Sequence, residues 1–368
     1  MKEFFDIPFS KPDIDNQEIE AITEVLKSGW PSQGKITEDF QNLLSKYLSS
    51  NVSVLNNGSS ALTSALIANE IKPGDNVIVP AFTYVATASI PKLLGANVIV
   101  ADINPDTLNM SPENVEKLIK THDVKAIIFV DVGGLPSDID GFIDISQRYG
   151  VKLIEDAAQA FGSEYKNKRI GSFDHTTIFS FQITKQITTI EGGCVVSLNE
   201  EIINKINKIK DYGRSTHGRY IHDVVGTNFR TTDIQSAMGI VQLQKVENHI
   251  KQRNKIAQKY KEELVDFKFQ EIHDFVTRHS YLLFFALAKN RELKDKILNQ
   301  LTKQKIDARE SWTPINLQPC NITNINTNCK NAEDVYNHVI ALPIFNSMTI
   351  EEAQKVIQVM NKVEKWSK

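Results

Sequence analysis

Phe179-Ser180-Phe181-Gln182-Ile183-Thr184-Lys185-Gln186-Ile187-Thr188-Thr189-Ile190-Glu191-Gly192-Gly193 is the stretch from which the fold follows. It opens as an apolar strand, turns polar at Gln182, presents one lysine just past the strand end, and closes on a glycine pair before a second apolar run. Upstream, Val151-Lys152-Leu153-Ile154-Glu155-Asp156-Ala157-Ala158-Gln159 is another strand, and this one ends in a carboxylate. Seven runs read as strands in all: Val52 to Leu55, Val77 to Val79, Val98 to Ala101, Ala126 to Val130, Leu153 to Glu155, Thr177 to Phe181, and Cys194 to Leu198. Helical periodicity fills most of the intervals, as in Pro112 to Lys120 and Phe142 to Tyr149. Unbroken apolar strands alternating with helices predict a mainly parallel sheet covered on both faces. Strand-end side chains then collect along one rim, where ligands bind in such sheets.

Beyond residue 231 the pattern changes to long charged helices. Ile234, Met238, Val241, Val246 and Ile250 fall near one stripe, with Lys, Arg, Glu and Gln around it. Tyr281 to Leu287 reads as a strand and Glu351 to Lys362 as a helix. The expected fold class is therefore α/β: a large domain with a seven-stranded, mainly parallel sheet sandwiched by helices, plus a smaller α+β C-terminal domain. Residues 1–245 are expected to form the large domain, with the N-terminal segment reaching the small one, and residues 246–368 the small domain. Asn321 to Asn331, rich in Asn and Thr, is the expected mobile loop.

A lysine and a carboxylate at neighbouring strand ends meet the two demands of pyridoxal phosphate. One is an amine for a Schiff base; the other is an anion that keeps the pyridine nitrogen protonated as an electron sink. Each also has a plain reading, since most of the 42 Lys and Arg residues solvate the surface and acids often end strands and cap the next helix. Further parts fit the same group. Val52 to Leu66 reads as a strand, a turn through Gly58 and an apolar helix, with Ser59 and Ser60 where the first unpaired helical N–H groups point outward. Donors, hydroxyls and the helix dipole can converge there on a phosphate, although serine at this place also suits ordinary N-capping. Ser180 points opposite to Phe179 and Phe181 along its strand and is a candidate second phosphate ligand. Val79 to Ala88 carries rings at the end of a third strand. Tyr84 rather than Phe82 is the stacking candidate, the alternative being that both rings are core.

On these segments, and on Ile7 to Pro12, Lys27 to Gly34 and Leu342 to Phe345, the chain resembles the sugar aminotransferases of the DegT/DnrJ/EryC1/StrS family over nearly its whole length. The resemblance implies the aspartate aminotransferase-like fold type I. It implies pyridoxal 5'-phosphate as cofactor, alternating with pyridoxamine phosphate, and transfer of an amino group from glutamate to a nucleotide-linked ketosugar such as a 4-keto-6-deoxyhexose. By the same likeness Lys185 holds the Schiff base and acts as general acid and base, and Asp156 pairs with the pyridine nitrogen. Gln159 lies near the phenolic oxygen, Tyr84 stacks on the opposite face, and Gly58, Ser59, Ser60 and Ser180 surround the phosphate. Asn228 would reach the phosphate bound by the partner subunit, so the site would require a homodimer. Gly29, Trp30, Arg230, Trp312 and Asn316 are candidate sugar and nucleotide contacts, each equally readable as surface or interdomain packing. The Glu191-Gly192-Gly193 ending looks more like relatives that aminate C4 than those that aminate C3.

The chain departs from the family pattern in places. Ile190 stands where the usual Thr-Thr-Gly-Glu-Gly-Gly has glycine, so the local backbone or the sugar pocket is expected to differ. Ser59 replaces a frequent threonine and Phe229 a frequent tyrosine, keeping hydroxyl and ring. Asp174-His175 breaks a usual Gly-Asp pair, and His175 reads as a loop residue rather than a base. Relatives with histidine in place of the lysine are deoxysugar dehydratases, so Lys185 favours transamination. The rival outcomes are amination at C3, cyclitol amination, dehydration, or a non-catalytic regulator that binds the cofactor or a sugar nucleotide; a degenerate regulator would have lost Lys185 or Asp156.

Composition agrees with a globular enzyme. With 368 residues, 41% hydrophobic, 24% charged and a net charge of -3, the chain can bury a sizeable core. Neither nucleic acid nor an anionic membrane is indicated as a partner. No run approaches the roughly 20 apolar residues of a spanning helix, and Met1 to Asp6 lacks the apolar core of a signal peptide, so a cytoplasmic location is expected. Cys194, Cys320 and Cys329 are odd in number without a Cys-x-x-Cys pair and read as free thiols. No zinc-hydrolase histidine spacing, phosphate loop or dinucleotide fingerprint is present, so no metal is expected and ATP or NAD chemistry is unsupported.

Overall fold

The β-branched runs of the N-terminal two thirds form seven strands of one sheet: β1 (Asn51–Leu55), β2 (Asn76–Pro80), β3 (Asn97–Ala101), β4 (Val124–Val130), β5 (Lys152–Asp156), β6 (Thr176–Ser180) and β7 (Gly193–Ser197). The structure, a computed structural model, describes residues 5–215, 220–320, 322–325 and 327–365. Met1 to Phe4, and Asn321 and Asn326 of the expected loop, lie outside the described residues. The strand order is β1-β7-β6-β5-β4-β2-β3. Strands β2 to β6 pair in parallel, while β7 is antiparallel to both β1 and β6. β7 returns from β6 through a loop rather than a helical crossover, which brings it back antiparallel.

Layers cover both faces. Along β2 and β3, Val77, Val79, Val98 and Val100 enter one apolar cluster with Leu62, Leu66 and Ile206. Ile78 and Ile99 enter the other, with Phe40, Leu44 and Phe142. The period-two alternation of a buried strand thus feeds two cores at once.

Helix Asp233–Glu263 starts at a capping box, in which Thr232 accepts from the Gln235 N–H and Gln235 reaches back to Thr232. Val246 and Ile250 belong to a large-sheet cluster, whereas Ile256, Ala257 and Tyr260 belong to the C-terminal core. The chain therefore changes cores within this helix, which runs through residue 245 without a break. The expected apolar stripe is only part of the buried face: Met238, Val246 and Ile250 are buried together with Gln242, His249 and Arg253. The N-terminal segment supplies partners to Gln242 and His249, and the C-terminal part supplies those of Arg253. Gln242 Nε2 donates to Asp13 O (2.6 Å) and Glu18 Oε1 (2.7 Å), and Arg253 holds the carbonyls of Tyr281, Leu282 and Ile344.

The C-terminal part builds a four-stranded sheet from Lys268–Phe269, Phe284–Leu287, Val339–Leu342 and Arg309–Glu310, backed by helix Ile350–Lys365. The strand expected from Tyr281 begins only at Phe284, because Tyr281 takes φ +47° and the Leu283 N–H is diverted to Gly133 O at 3.2 Å. Within the stretch expected as a mobile loop, Asn324 and Ile325 lie along the edge strand β3. Asn324 N–H donates to Val98 O (3.0 Å), Asn324 Oδ1 accepts from Val98 N–H (3.1 Å), and Ile325 bridges Ile99. Asparagine side chains can mimic a strand partner, and here they cover unpaired edge groups. Among the described residues no helix is long and apolar enough to cross a membrane.

Candidate active site

The rim formed by the ends of β1, β5 and β6 opens into a cavity of about 740 Å³ lined by Gly58, Ser59, Tyr84, Asp156, Gln159, Ser180, Lys185 and Trp312. Eight candidate residues scattered between positions 58 and 312 thus share one space.

Asp156 ends β5 and is buried. Thr87 Oγ1 donates to its Oδ2 (2.7 Å) and the Ala158 N–H to its Oδ1 (3.2 Å). Burial pushes its carboxyl up, against those two hydrogen bonds and the Lys185 charge. Lys185, half-buried in the loop after β6, has its amine pushed down to about 8 by burial, with Asp156 and Glu191 pulling the other way. Among the described residues no hydrogen bond or ion pair engages that amine. A buried carboxylate without a contact cation and an amine without a partner form an incomplete electrostatic set. A cationic ring and an aldehyde complete it.

Helix Gly58–Ala68 supplies the anion end. Its N-cap, Asn57, takes the Ser60 N–H on Oδ1 at 2.7 Å, while among the described residues nothing accepts the Gly58 or Ser59 N–H. Ser180 lies against this helix start: a Cβ on Gly58 would sit 2.9 Å from Ser180 Cβ. Only glycine lets β6 approach so closely. A phosphate held here would meet free N–H groups, two hydroxyls and the positive end of the helix. The residues present therefore fit pyridoxal phosphate at all three of its handles.

Tyr84 is 59% exposed on the cavity wall, whereas Phe82 is fully buried against Trp312 (5.5 Å) and Phe285 (6.2 Å). Gln159 is buried, with Oε1 accepting from the Gly133 N–H at 2.9 Å. The other candidates lie away from the cavity wall. Ser60 is buried in the first turn of its helix. Asn228 is exposed and bridges Asp211. Arg230 pairs with Asp211 and lies 5.2 Å over the Tyr212 ring, and Asn316 donates to Glu333 at 2.7 Å. Gly29 and Trp30 occupy an exposed turn, where the indole donates to Gln33 O at 3.2 Å.

Ile190 takes φ +70°, a conformation suited to glycine and strained for a β-branched residue. Thr188 Oγ1 accepts the Ile190 N–H (2.9 Å), and Gln235 Nε2 holds Glu191 O (2.5 Å). His175, read from the sequence as a loop residue, has a buried ring whose Nε2 meets Glu155 Oε2 at 3.1 Å. Sequence reasoning missed Thr87, Asn57 and Glu191. Asn57 carried a signal as an N-cap residue before the Gly-Ser helix start and Glu191 one only as part of the Glu191-Gly192-Gly193 ending, not as a charge facing Lys185, while Thr87 carried none.

This sheet order, with its cavity at the strand ends, is the architecture of fold type I pyridoxal-phosphate aminotransferases. The chain belongs to the DegT/DnrJ/EryC1/StrS aminotransferase family, whose sequence model matches residues 12–361. It is 32% identical to the GDP-perosamine synthase of Escherichia coli O157:H7, over 97% of this chain and 98% of that protein. Helicobacter pylori PseC, an aminotransferase involved in the biosynthesis of pseudoaminic acid, superposes with a TM-score of 0.91 at 28% identity, covering 98% of this chain and 99% of PseC. S. venezuelae DesV, solved in complex with a ketimine intermediate, gives 0.90 at 27% identity with 98% of both chains covered. The protein is a pyridoxal-phosphate-dependent aminotransferase.

Proposed function

We propose that this enzyme moves the amino group of glutamate onto the ketone of a nucleotide-linked sugar, a 4-keto-6-deoxyhexose, in cytoplasmic aminosugar synthesis. The observation that carries the assignment of roles is the unpartnered Lys185 amine sharing a cavity with the buried Asp156. Pyridoxal phosphate, when bound, supplies an aldehyde that takes the amino group and a ring that accepts electrons. Lys185 Nζ would hold that aldehyde, and its amine, when free, would take and return the donor's α-proton. Its depressed proton affinity keeps a share of the amine neutral near pH 8. Asp156 holds a proton on the ring nitrogen, with Thr87 and the Ala158 N–H fixing its two oxygens. Gly58, Ser59 and Ser180 would orient the phosphate, Tyr84 and Gln159 the ring, and Trp312 faces the acceptor end, while Ser60, off the cavity wall, supports the helix start.

A nucleotide-linked acceptor is supported by the relative named for GDP-perosamine, and amination at C4 by the Glu191-Gly192-Gly193 ending. Gly29, Trp30, Arg230 and Asn316, off the wall within one protomer, would contribute only where a second subunit closes the site. The same holds for Asn228. Exposed apolar residues beside it, Tyr212, Ile221, Val224 and Val225, favour a homodimer. Incubation with glutamate and a panel of nucleotide-linked 3-keto and 4-keto sugars, with product structures from NMR, tests the reading. A 4-amino product supports it; a dehydrated sugar, a 3-amino product or no turnover refutes it.

A further inference from the structure

Behind Asp156, on the side away from the cavity, lies a second set of acids that the proposed chemistry does not use. Glu155 and Asp131 are both fully buried. Glu155 Oε2 takes the Thr177 hydroxyl (2.9 Å) and His175 Nε2 (3.1 Å), and Asp131 Oδ1 takes the Ser137 N–H (2.8 Å). Among the described residues the remaining oxygens, Asp131 Oδ2 and Glu155 Oε1, have no hydrogen-bond partner, and the two residues extend from adjacent paired strands, Asp131 one residue past the Val130–Asp156 pair and Glu155 one before it, so that each buried carboxyl disturbs the other's titration. Two carboxylates cannot bond without a proton between them, and two bare anions in a dry interior repel strongly.

We propose that Asp131 and Glu155 share one proton, and that this proton limits the charge behind Asp156 to one, making Asp131 a positioning residue for the reaction. The inference rests on the role given to Asp156 above. Asp131 acts through the ends of β4 and β5, its own N–H meeting Asp156 O at 3.4 Å. The titratable groups facing the pair are Asp156 on β5 and His175 before β6; Asp174 in turn faces His175, and Lys185 faces Asp156. Burial drives His175 down to about 4, so it is neutral near pH 7 and does not supply the missing charge. Burial raises Asp131 and also Glu155, the latter up to about 7.

The sign follows from linkage. The folded chain keeps a proton that the unfolded chain releases near its ordinary carboxylate range, so stability is greatest in acid and is lost as pH rises through about 7. One retained proton makes the folding constant fall about tenfold per pH unit within that window. The probe is the apoprotein of Asp131→Asn, which keeps an N–H donor toward Glu155 but has no proton to lose. Urea unfolding from pH 5 to 8 should show the wild-type slope reduced by one proton in this variant. Infrared spectra of wild-type apoprotein at pH 6 should show a protonated carboxyl band, which keeps the test alive should the variant not fold. In the holoenzyme, the pH titration of the cofactor's visible absorbance should move to lower pH in Asp131→Asn, because the extra charge formed above neutrality is gone. An unchanged slope or a missing infrared band overturns the shared proton, and an unmoved absorbance titration overturns the positioning role. Because Asp156 is itself a buried carboxyl pushed up by burial, the apoprotein readouts are repeated in Asp156→Asn, where the slope and infrared band of the pair should persist, so failure of the proposed function is seen separately.

Discussion

Replacing Asp156 by asparagine separates its catalytic from its structural role, since the exchange removes a charge and almost no volume. Asp156 is 7% exposed, with Thr87 and the Ala158 N–H on its oxygens, so solvent screens its charge poorly. An ion pair at about 4 Å is worth about 4 kcal/mol at an effective dielectric constant of about 20, against about 1 kcal/mol in bulk water. If that interaction holds the proton on the cofactor ring, its loss lowers the rate about 10³-fold, each 1.36 kcal/mol being a factor of ten. Stability should move the other way. Burial raises the Asp156 carboxyl, so the charged form is the disfavoured one in the fold, and wild-type stability is lost as pH rises through the raised value. The neutral variant escapes that loss, so its apoprotein should be at least as stable as wild type at pH 7. The assays are single-turnover conversion with glutamate, followed by absorbance, and urea unfolding of the apoprotein. Turnover within tenfold of wild type, or an inactive variant that has simply lost stability, would refute the argument.

Gly58→Ala drives a methyl to 2.9 Å from Ser180 Cβ; we expect a stability loss of about 1–3 kcal/mol by chemical denaturation and at least tenfold weaker cofactor binding by fluorescence titration. Ile190→Gly relieves a β-branched residue at φ +70° that is 53% exposed, and should raise stability by about 1 kcal/mol in urea titrations. Lys185→Met removes an amine lowered to about 8. The wild-type fold carries that penalty fully below pH 8 and sheds it toward the ordinary lysine range. The variant's stability advantage should therefore be present at pH 7 and shrink between pH 8 and 10.5, as read by thermal melts across pH. Mixing Asn228→Ala with Lys185→Ala subunits should restore activity to a fraction of the mixed dimers in a steady-state assay, whereas dead mixtures would exclude shared sites.

The tertiary structure also explains where local reading stopped short. The anchored stretch around Asn324 and Ile325 has loop composition, but composition is blind to an edge strand left open by a distant part of the chain. The helix Asp233–Glu263 hides polar side chains on its buried face because another segment supplies their partners, which weakens its amphipathic signal.

Sequence alone determined the strand runs, the helix start at Gly58, and the places of Asp156 at a strand end and Lys185 in the loop just past one, because each depends on patterns a few residues long. Tertiary structure decided which strand ends adjoin, which of Trp312 and Asn316 faces the cavity, that Thr87 fixes Asp156, and that Asp131 and Glu155 are buried at adjacent strands. These contacts join positions dozens to hundreds of residues apart, and only sheet order and register bring such positions within hydrogen-bond distance.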